Sequence, residues 1–135
     1  MSILVDTSVW IEWLNGKSKP SEEFLESVVV CGPILQEVLQ GLKNSPPAKA
    51  FKENFLQFPV ICDPLPSMIY RHAADLYRQG RQKGYSIRSS IDCLIAAIAI
   101  ESSIPVVHQD RDFSNISKFS ALESKTLADL QKQLK

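Results

Sequence analysis

"ILVDTSVWIEWL", residues 3–14, joins a short apolar run to an acid, a hydroxyl pair and a helix-patterned segment. Ile3, Leu4 and Val5 read as a strand buried on both faces, the pattern of a parallel sheet. Trp10, Trp13 and Leu14 fall at helical spacing over Thr7 to Leu14. Asp6 therefore stands at the carboxyl end of a strand and the start of a helix. Working outward, Val28–Val30 is a second β-branched run, and Phe58 to Cys62 and Pro105 to Val107 are two further strand candidates. Between them the spacing predicts helices from Pro33 to about Lys43, Pro46 to Gln57, Pro66 to Lys83 and Ser90 to Ser102, with Thr126 to Leu134 closing the chain. Pro33 suits a first helical turn, where its missing N–H costs nothing. Strands alternating with helices of this length imply an α/β domain with right-handed crossovers. Ligands in such folds collect beyond the carboxyl ends of the strands.

The bulk properties fit this reading. A chain of 135 residues with 44% hydrophobic and 22% charged content makes one ordinary domain, residues 1–135, with a single core. Fifteen cations balance fifteen acids, so contact with nucleic acid must come from a local patch or from metal ions. Cys31, Cys62 and Cys93 have neither zinc-ribbon nor disulfide-framework spacing, which favours a reducing compartment. The first ten residues lack a basic leader, and no apolar run approaches the ~20 residues of a membrane span. The expectation is a cytoplasmic protein.

Four positions carry acids in telling places. Asp6 is either a helix cap or a ligand. On the Pro33 helix, Ile34, Glu37, Val38 and Gly41 form one stripe while Gln36, Gln40 and Lys43 form the other, which sets Glu37 in the apolar face. An unpaired carboxylate there is expensive, so it needs a salt bridge or a cation. In "SSIDCLIAAIAI" Ile91, Leu94, Ile95 and Ile98 mark the core face, and Asp92 shares a side with Ile95, Ala96 and Ala99. Asp92 lies in the first turn, where the helix dipole also favours an anion. "VVHQDRDF" puts Asp110 and Asp112 just past a strand, with Asp110 nearer its end and preferred of the two. Like charges converging from two strands and two helices need a cation between them. Hard oxygen ligands select Mg²⁺ or Mn²⁺, and a metal with open positions suits phosphodiester hydrolysis.

The segments "ILVDTSVWIEWL", "PILQEVLQGL", "IDCLIAAIAI" and "VVHQDRDF" resemble, in order, the four signature blocks of PIN domains, and most closely those of VapC-type toxins of bacterial toxin–antitoxin modules. The resemblance spans Ser2 to about Ile116. It implies an α/β/α three-layer sandwich with a central, mainly parallel sheet. It implies Asp6, Glu37, Asp92 and Asp110 or Asp112 as catalytic carboxylates, with the metal on Asp6 and Asp92. It also implies endonucleolytic cleavage of RNA, a cognate antitoxin and a homodimer. One departure stands out: His108 replaces the hydroxyl residue usual two positions before the first acid of the last block.

Other residues have two readings each. His72 shares a face with Ile69, Ala73 and Leu76 and reads as a core histidine. Arg71, Arg78, Arg81, Lys83 and Arg88, with only Asp75 among them, are a solvated face or an RNA-phosphate contact. Trp10, Trp13, Phe51, Phe55 and Phe58 are core, or the surface through which the resemblance has an antitoxin dock. A degenerate PIN fold without catalysis and a Rossmann-like phosphatase are the competing functions. A haloacid-dehalogenase-like phosphatase needs an acid where Ser8 stands, and a receiver domain needs paired acids and a late Lys that are not evident.

Overall fold

The computed structural model describes residues 1–16 and 18–133. Five parallel strands form the middle layer: β1 (Ile3–Val5), β2 (Val28–Cys31), β3 (Val60–Ile61), β4 (Val106–His108) and β5 (Ser124–Thr126). Their order across the sheet is β3-β2-β1-β4-β5. The helices are α1 (Thr7–Leu14), α2 (Glu22–Leu25), α3 (Gly32–Gln40), α4 (Pro46–Phe55), α5 (Ser67–Gln82), α6 (Ser90–Ser102), α7 (Arg111–Phe119) and α8 (Leu127–Gln133). The three-layer α/β sandwich expected from the sequence is present. The helix expected over Thr126 to Leu134 is α8; Leu134 lies outside the described residues.

Strand β2 is buried along its whole length, as are Leu4, Val5, Val106 and Val107. That is why these runs lack polar alternation. The chain leaves β1 toward β2 and β3 on one side, then places β4 on the other side of β1. The crevice between β1 and β4 is thus the topological switch point of the sheet. Asp6 N donates to Val107 O at 2.9 Å, so the end of β1 is tied to the end of β4. Acids that follow these two strands must open into one crevice.

Trp10 settles the role of the aromatic residues. Its ring lies 5.1 Å from Phe55, 5.3 Å from Trp13, 5.5 Å from Phe58 and 6.0 Å from Phe51. Trp10 and Phe55 are fully buried, each burial contributing roughly 1.5–3 kcal/mol, so this group is a core that pins α1 to α4. Gly80 in α5 permits another close approach. A methyl group there would collide with the Ile87 side chain and crowd Phe119, so its absence lets the 83–89 loop lie against α5. Gly84, at φ 85°, makes the turn that starts this loop.

Several sequence expectations are corrected. Ile91 was expected in the core but is exposed, and α6 instead buries Asp92, Cys93 and Ile95–Ala99. Gly41 is also exposed, because it caps α3 and ends the helix before Lys43. His72 is half-buried rather than core, with Nδ1 3.1 Å from Glu101 Oε1 across the α5–α6 contact. Helix α7 is absent from the elements expected from the sequence, although its Asp110 cap and its Phe113, Ile116, Phe119 stripe signal it. Strand β5 is "SKT", a polar edge with no apolar signature. Cys31, Cys62 and Cys93 are all free, and burial pushes the Cys31 thiol up to about 12 and that of Cys93 to about 11.

Candidate metal centre

Asp6 fills the first of the two roles the sequence allowed, and its burial leaves the second open. It is the N-cap of α1, and its Oδ2 accepts from Ser8 N at 3.2 Å and Ser8 Oγ at 2.7 Å. It is also buried at 4% exposure. Burial raises its pKa, the Ser8 hydrogen bonds oppose that, and the charge of Asp110 adds to it. Ser8 Oγ accepts in turn from Gln109 N at 3.3 Å, bridging the β1–α1 and β4–α7 junctions. From the sequence Ser8 only marks the missing second acid of a phosphatase; its position two residues after Asp6 is the available clue to this role.

Glu37 is half-buried, not set in a closed apolar face. Its Oε1 accepts from Thr7 Oγ1 at 3.1 Å. Burial raises its pKa, and it senses the charge of Asp6. Neither of these two acids belongs to the tightest group. That group is Asp92, Asp110 and Asp112, each with one carboxylate oxygen within 4.8 Å of the others.

Each member is delivered by its own local logic. Ser89 caps α6 and accepts from Asp92 N at 3.4 Å, placing Asp92 in the first turn with its side chain buried. Asp110 caps α7 by accepting from Asp112 N at 2.8 Å. Asp112 is 1% exposed and anchors the 83–89 loop. Its Oδ1 accepts from Arg88 N at 3.2 Å, and its Oδ2 accepts from Arg88 N and Ser89 N, both at 3.1 Å. The sequence preferred Asp110 over Asp112; the fold brings both to Asp92.

Electrostatics marks Asp92 as the stressed member. Its pKa is pushed up to about 9, first by burial and then by Asp6, by hydrogen bonding to Asp112 and by the charges of Asp110 and Asp112. Asp92 Oδ2 is buried and has no hydrogen-bond partner among the described residues. A buried carboxylate oxygen left unpaired beside two more carboxylates fits a cation that bonds only to oxygen. The donors are all hard, which suits Mg²⁺ or Mn²⁺ rather than a thiophilic metal. His108 lies outside this group of three carboxylates. It is 1% exposed, packs 5.3 Å from Phe113, and burial lowers its pKa.

A parallel α/β domain with a carboxylate centre at its switch point defines the class: a fold able to hold a hard cation against an anionic substrate. Residues 3–119 match the model of the PIN domain, and the chain belongs to that family. Ribonuclease VapC11 of Mycobacterium tuberculosis and VapC ribonuclease Mb1587 of Mycobacterium bovis are each 30% identical to it over 136 residues, covering 90% of this chain and 96% of theirs. Among solved structures, VapBC-1 from nontypeable Haemophilus influenzae matches with TM-score 0.70 at 17% identity, covering 93% of this chain and 98% of that one. VapBC-5 from Mycobacterium tuberculosis, a member of the VapBC family of toxin–antitoxin systems, matches with TM-score 0.64 at 23% identity, covering 93% and 96%. These structural likenesses concern the fold.

Proposed function

We propose that this protein is a metal-dependent endoribonuclease and the toxin of a type II toxin–antitoxin pair, acting in the cytoplasm. The observation that carries the catalytic part is the meeting of Asp92, Asp110 and Asp112 beside an unpartnered Asp92 oxygen in a PIN domain. Mg²⁺ or Mn²⁺ held there supplies a Lewis acid and lowers the pKa of an attacking water. Asp92 and Asp110 are the ligands, with Asp112 as the third carboxylate that holds the loop in register. Asp6, oriented by Ser8, faces Asp92 and Asp110 and completes the negative field that draws the metal. Glu37, half-buried and steadied by Thr7, stands close enough to Asp6 to sense its charge.

The toxin part rests on the VapC relatives at 30% identity. Ile11 and Leu14 on α1 and Leu56 after α4 are exposed apolar residues beside the Trp10 core, which suits a cognate antitoxin. The native protein should cleave mixed RNA with Mg²⁺, lose cleavage in chelator and lose it again as Asp6→Asn. Its expression alone should arrest growth, and an adjacent small gene should relieve the arrest. Full cleavage after exhaustive metal removal would overturn the mechanism.

A homodimer is part of the same reading. Met68, Tyr70 and Ile91 are exposed on α5 and α6, and Tyr70 and Ile91 border a cavity of about 490 Å³ lined also by Ala74 and Leu94. An apolar face of this kind suits a self-complementary contact. Sedimentation should give twice the chain mass of 15.1 kDa, and Tyr70→Arg should return the single-chain value. A native monomer at high concentration would remove the dimer from the proposal.

A further inference from the structure

The segment from Arg78 to Arg88, "RQGRQKGYSIR", carries four cations and no acid in a chain whose formal charge is zero. Arg78, Arg81, Lys83 and Arg88 are all exposed, and among the described residues none of them is paired with a carboxylate. Arg78 and Arg81 stand three apart on α5, a like-charged spacing that works against the helix. The helix dipole favours Arg81 and Lys83 at the end of α5, but it does not reach the run on to Arg88.

The cations are organised around aromatic rings. The Arg81 guanidinium lies 5.8 Å from the centre of the Tyr77 ring. Lys118 Nζ, from the end of α7, lies 5.7 Å from the Tyr85 ring, which is stacked on Phe119 at 5.6 Å. Lys118 Nζ also donates to Asn115 Oδ1 at 3.5 Å. Tyr77, Arg81, Tyr85 and Ser86 line an open cavity of about 470 Å³, and Lys118 reaches its rim through the Tyr85 ring. Its floor is fixed, because Tyr85 N donates to Gly80 O at 2.9 Å and Ile87 packs on Gly80.

This cavity joins the metal centre through a short stretch of backbone. Ser86 lines it, and Arg88, two residues later, donates its N–H to Asp112. Two residues span at most about 7 Å. A cavity bordered by cations and tyrosine rings, two residues along the chain from a contact with the carboxylate centre, matches what a single nucleic-acid strand needs: cations for its phosphates and rings for its bases. We propose that the Tyr77–Tyr85 cavity, with Arg81 and Lys118, binds single-stranded RNA next to the cleaved bond and aligns it with the carboxylates. This rests on the ribonuclease reading above and adds to it the surface that holds the substrate.

The test measures binding of a labelled single-stranded RNA of mixed sequence by anisotropy, at several salt concentrations, in the Asp6→Asn background with Mg²⁺. Each phosphate contact on a single strand contributes about 0.7 to the slope of log affinity against log salt. Adding Arg81→Gln and Lys118→Gln together should lower that slope by about 1.4 and weaken binding roughly 25-fold at 0.1 M salt. Both side chains end in solvent, and circular dichroism checks that the fold is kept. Lys49→Gln with Lys52→Gln on α4 is the control and should leave the slope unchanged. An unchanged slope in the first pair, an equal drop in the control pair, or equally tight binding of a blunt duplex would overturn the proposal. Cleavage of the same RNA by the native protein is scored separately and bears only on the nuclease reading.

Discussion

Asp92→Asn should abolish RNA cleavage and yet raise the melting temperature of the metal-free protein. Groups that merely support metal ligands cost about 10–100-fold when lost, so a ligand should cost at least 100-fold. The gain in stability follows from the same crowding. Asp92 is pushed from its ordinary 3.8 up to about 9 in the folded chain, while the unfolded chain keeps the ordinary value. Between those values the folded state holds a proton that the unfolded state has released, so the native apoprotein loses stability as pH rises through this window. Asparagine has no such proton to hold. The two proteins should melt close together near pH 4 and diverge steadily toward pH 9, with the variant higher. Like charges a few ångströms apart are worth about 1–4 kcal/mol, and each kcal/mol shifts melting by roughly 2–8 °C. Mg²⁺ at a hundredfold excess over its dissociation constant should add about 2.7 kcal/mol to the native protein and much less to the variant. If Asp92 were only a dipole-stabilised helix acid, the substitution would cost about 0.3–1 kcal/mol and the Mg²⁺ response would be unchanged. Calorimetry across pH, with and without Mg²⁺, separates the two.

The contrast between Asp6 and Asp112 explains what could be read in the sequence. Asp6 follows a β-branched strand, and strand ends in parallel sheets are where sites lie, so its place at the end of β1 was legible from position alone. Asp92 was legible because an acid among isoleucines and alanines demands a reason. The burial of Ile91 was misjudged, since a helix with apolar residues on every side has no preferred face until tertiary packing chooses one. In α6 that choice buried Cys93 and Ala97 and left Ile91 outside. Helix α7 and strand β5 were lost because "RDFSNISKF" and "SKT" are too polar for periodicity to rise above turn chemistry. With α7 unseen, Asp110 was preferred to Asp112 only for lying nearer the strand end. The three backbone contacts of Asp112 join positions 23 and 24 apart in sequence, which no local pattern encodes. The same holds for the Ser8–Gln109 bridge, 101 residues apart.

Asp112→Asn should lose cleavage as Asp92→Asn does, but should lower stability instead of raising it. The carboxylate of Asp112 receives two contacts from Arg88 N and one from Ser89 N. An asparagine oxygen can keep one of these donors, while its NH₂ group turns a donor toward the other. One buried N–H is then unsatisfied, at a cost of about 1–3 kcal/mol. Relief of charge repulsion offsets this only in part. Near neutral pH the raised pKa of Asp92 keeps it protonated in the apoprotein, and it is hydrogen-bonded to Asp112. Removing the Asp112 charge relieves its repulsion with the nearby Asp110, which offsets part of the cost, but relieves none with a protonated Asp92 and weakens an acceptor that Asp92 uses. The damage should be local as well as global. Amide exchange at Arg88 and Ser89 should speed up well before the protein unfolds, because only Asp112 is seen to hold those two N–H groups. Mg²⁺ should fail to restore either the exchange protection or the activity. An Asp112→Asn variant that melts at or above the native temperature, with the Arg88 and Ser89 amides still protected, would show that the 83–89 loop is anchored by something other than this carboxylate.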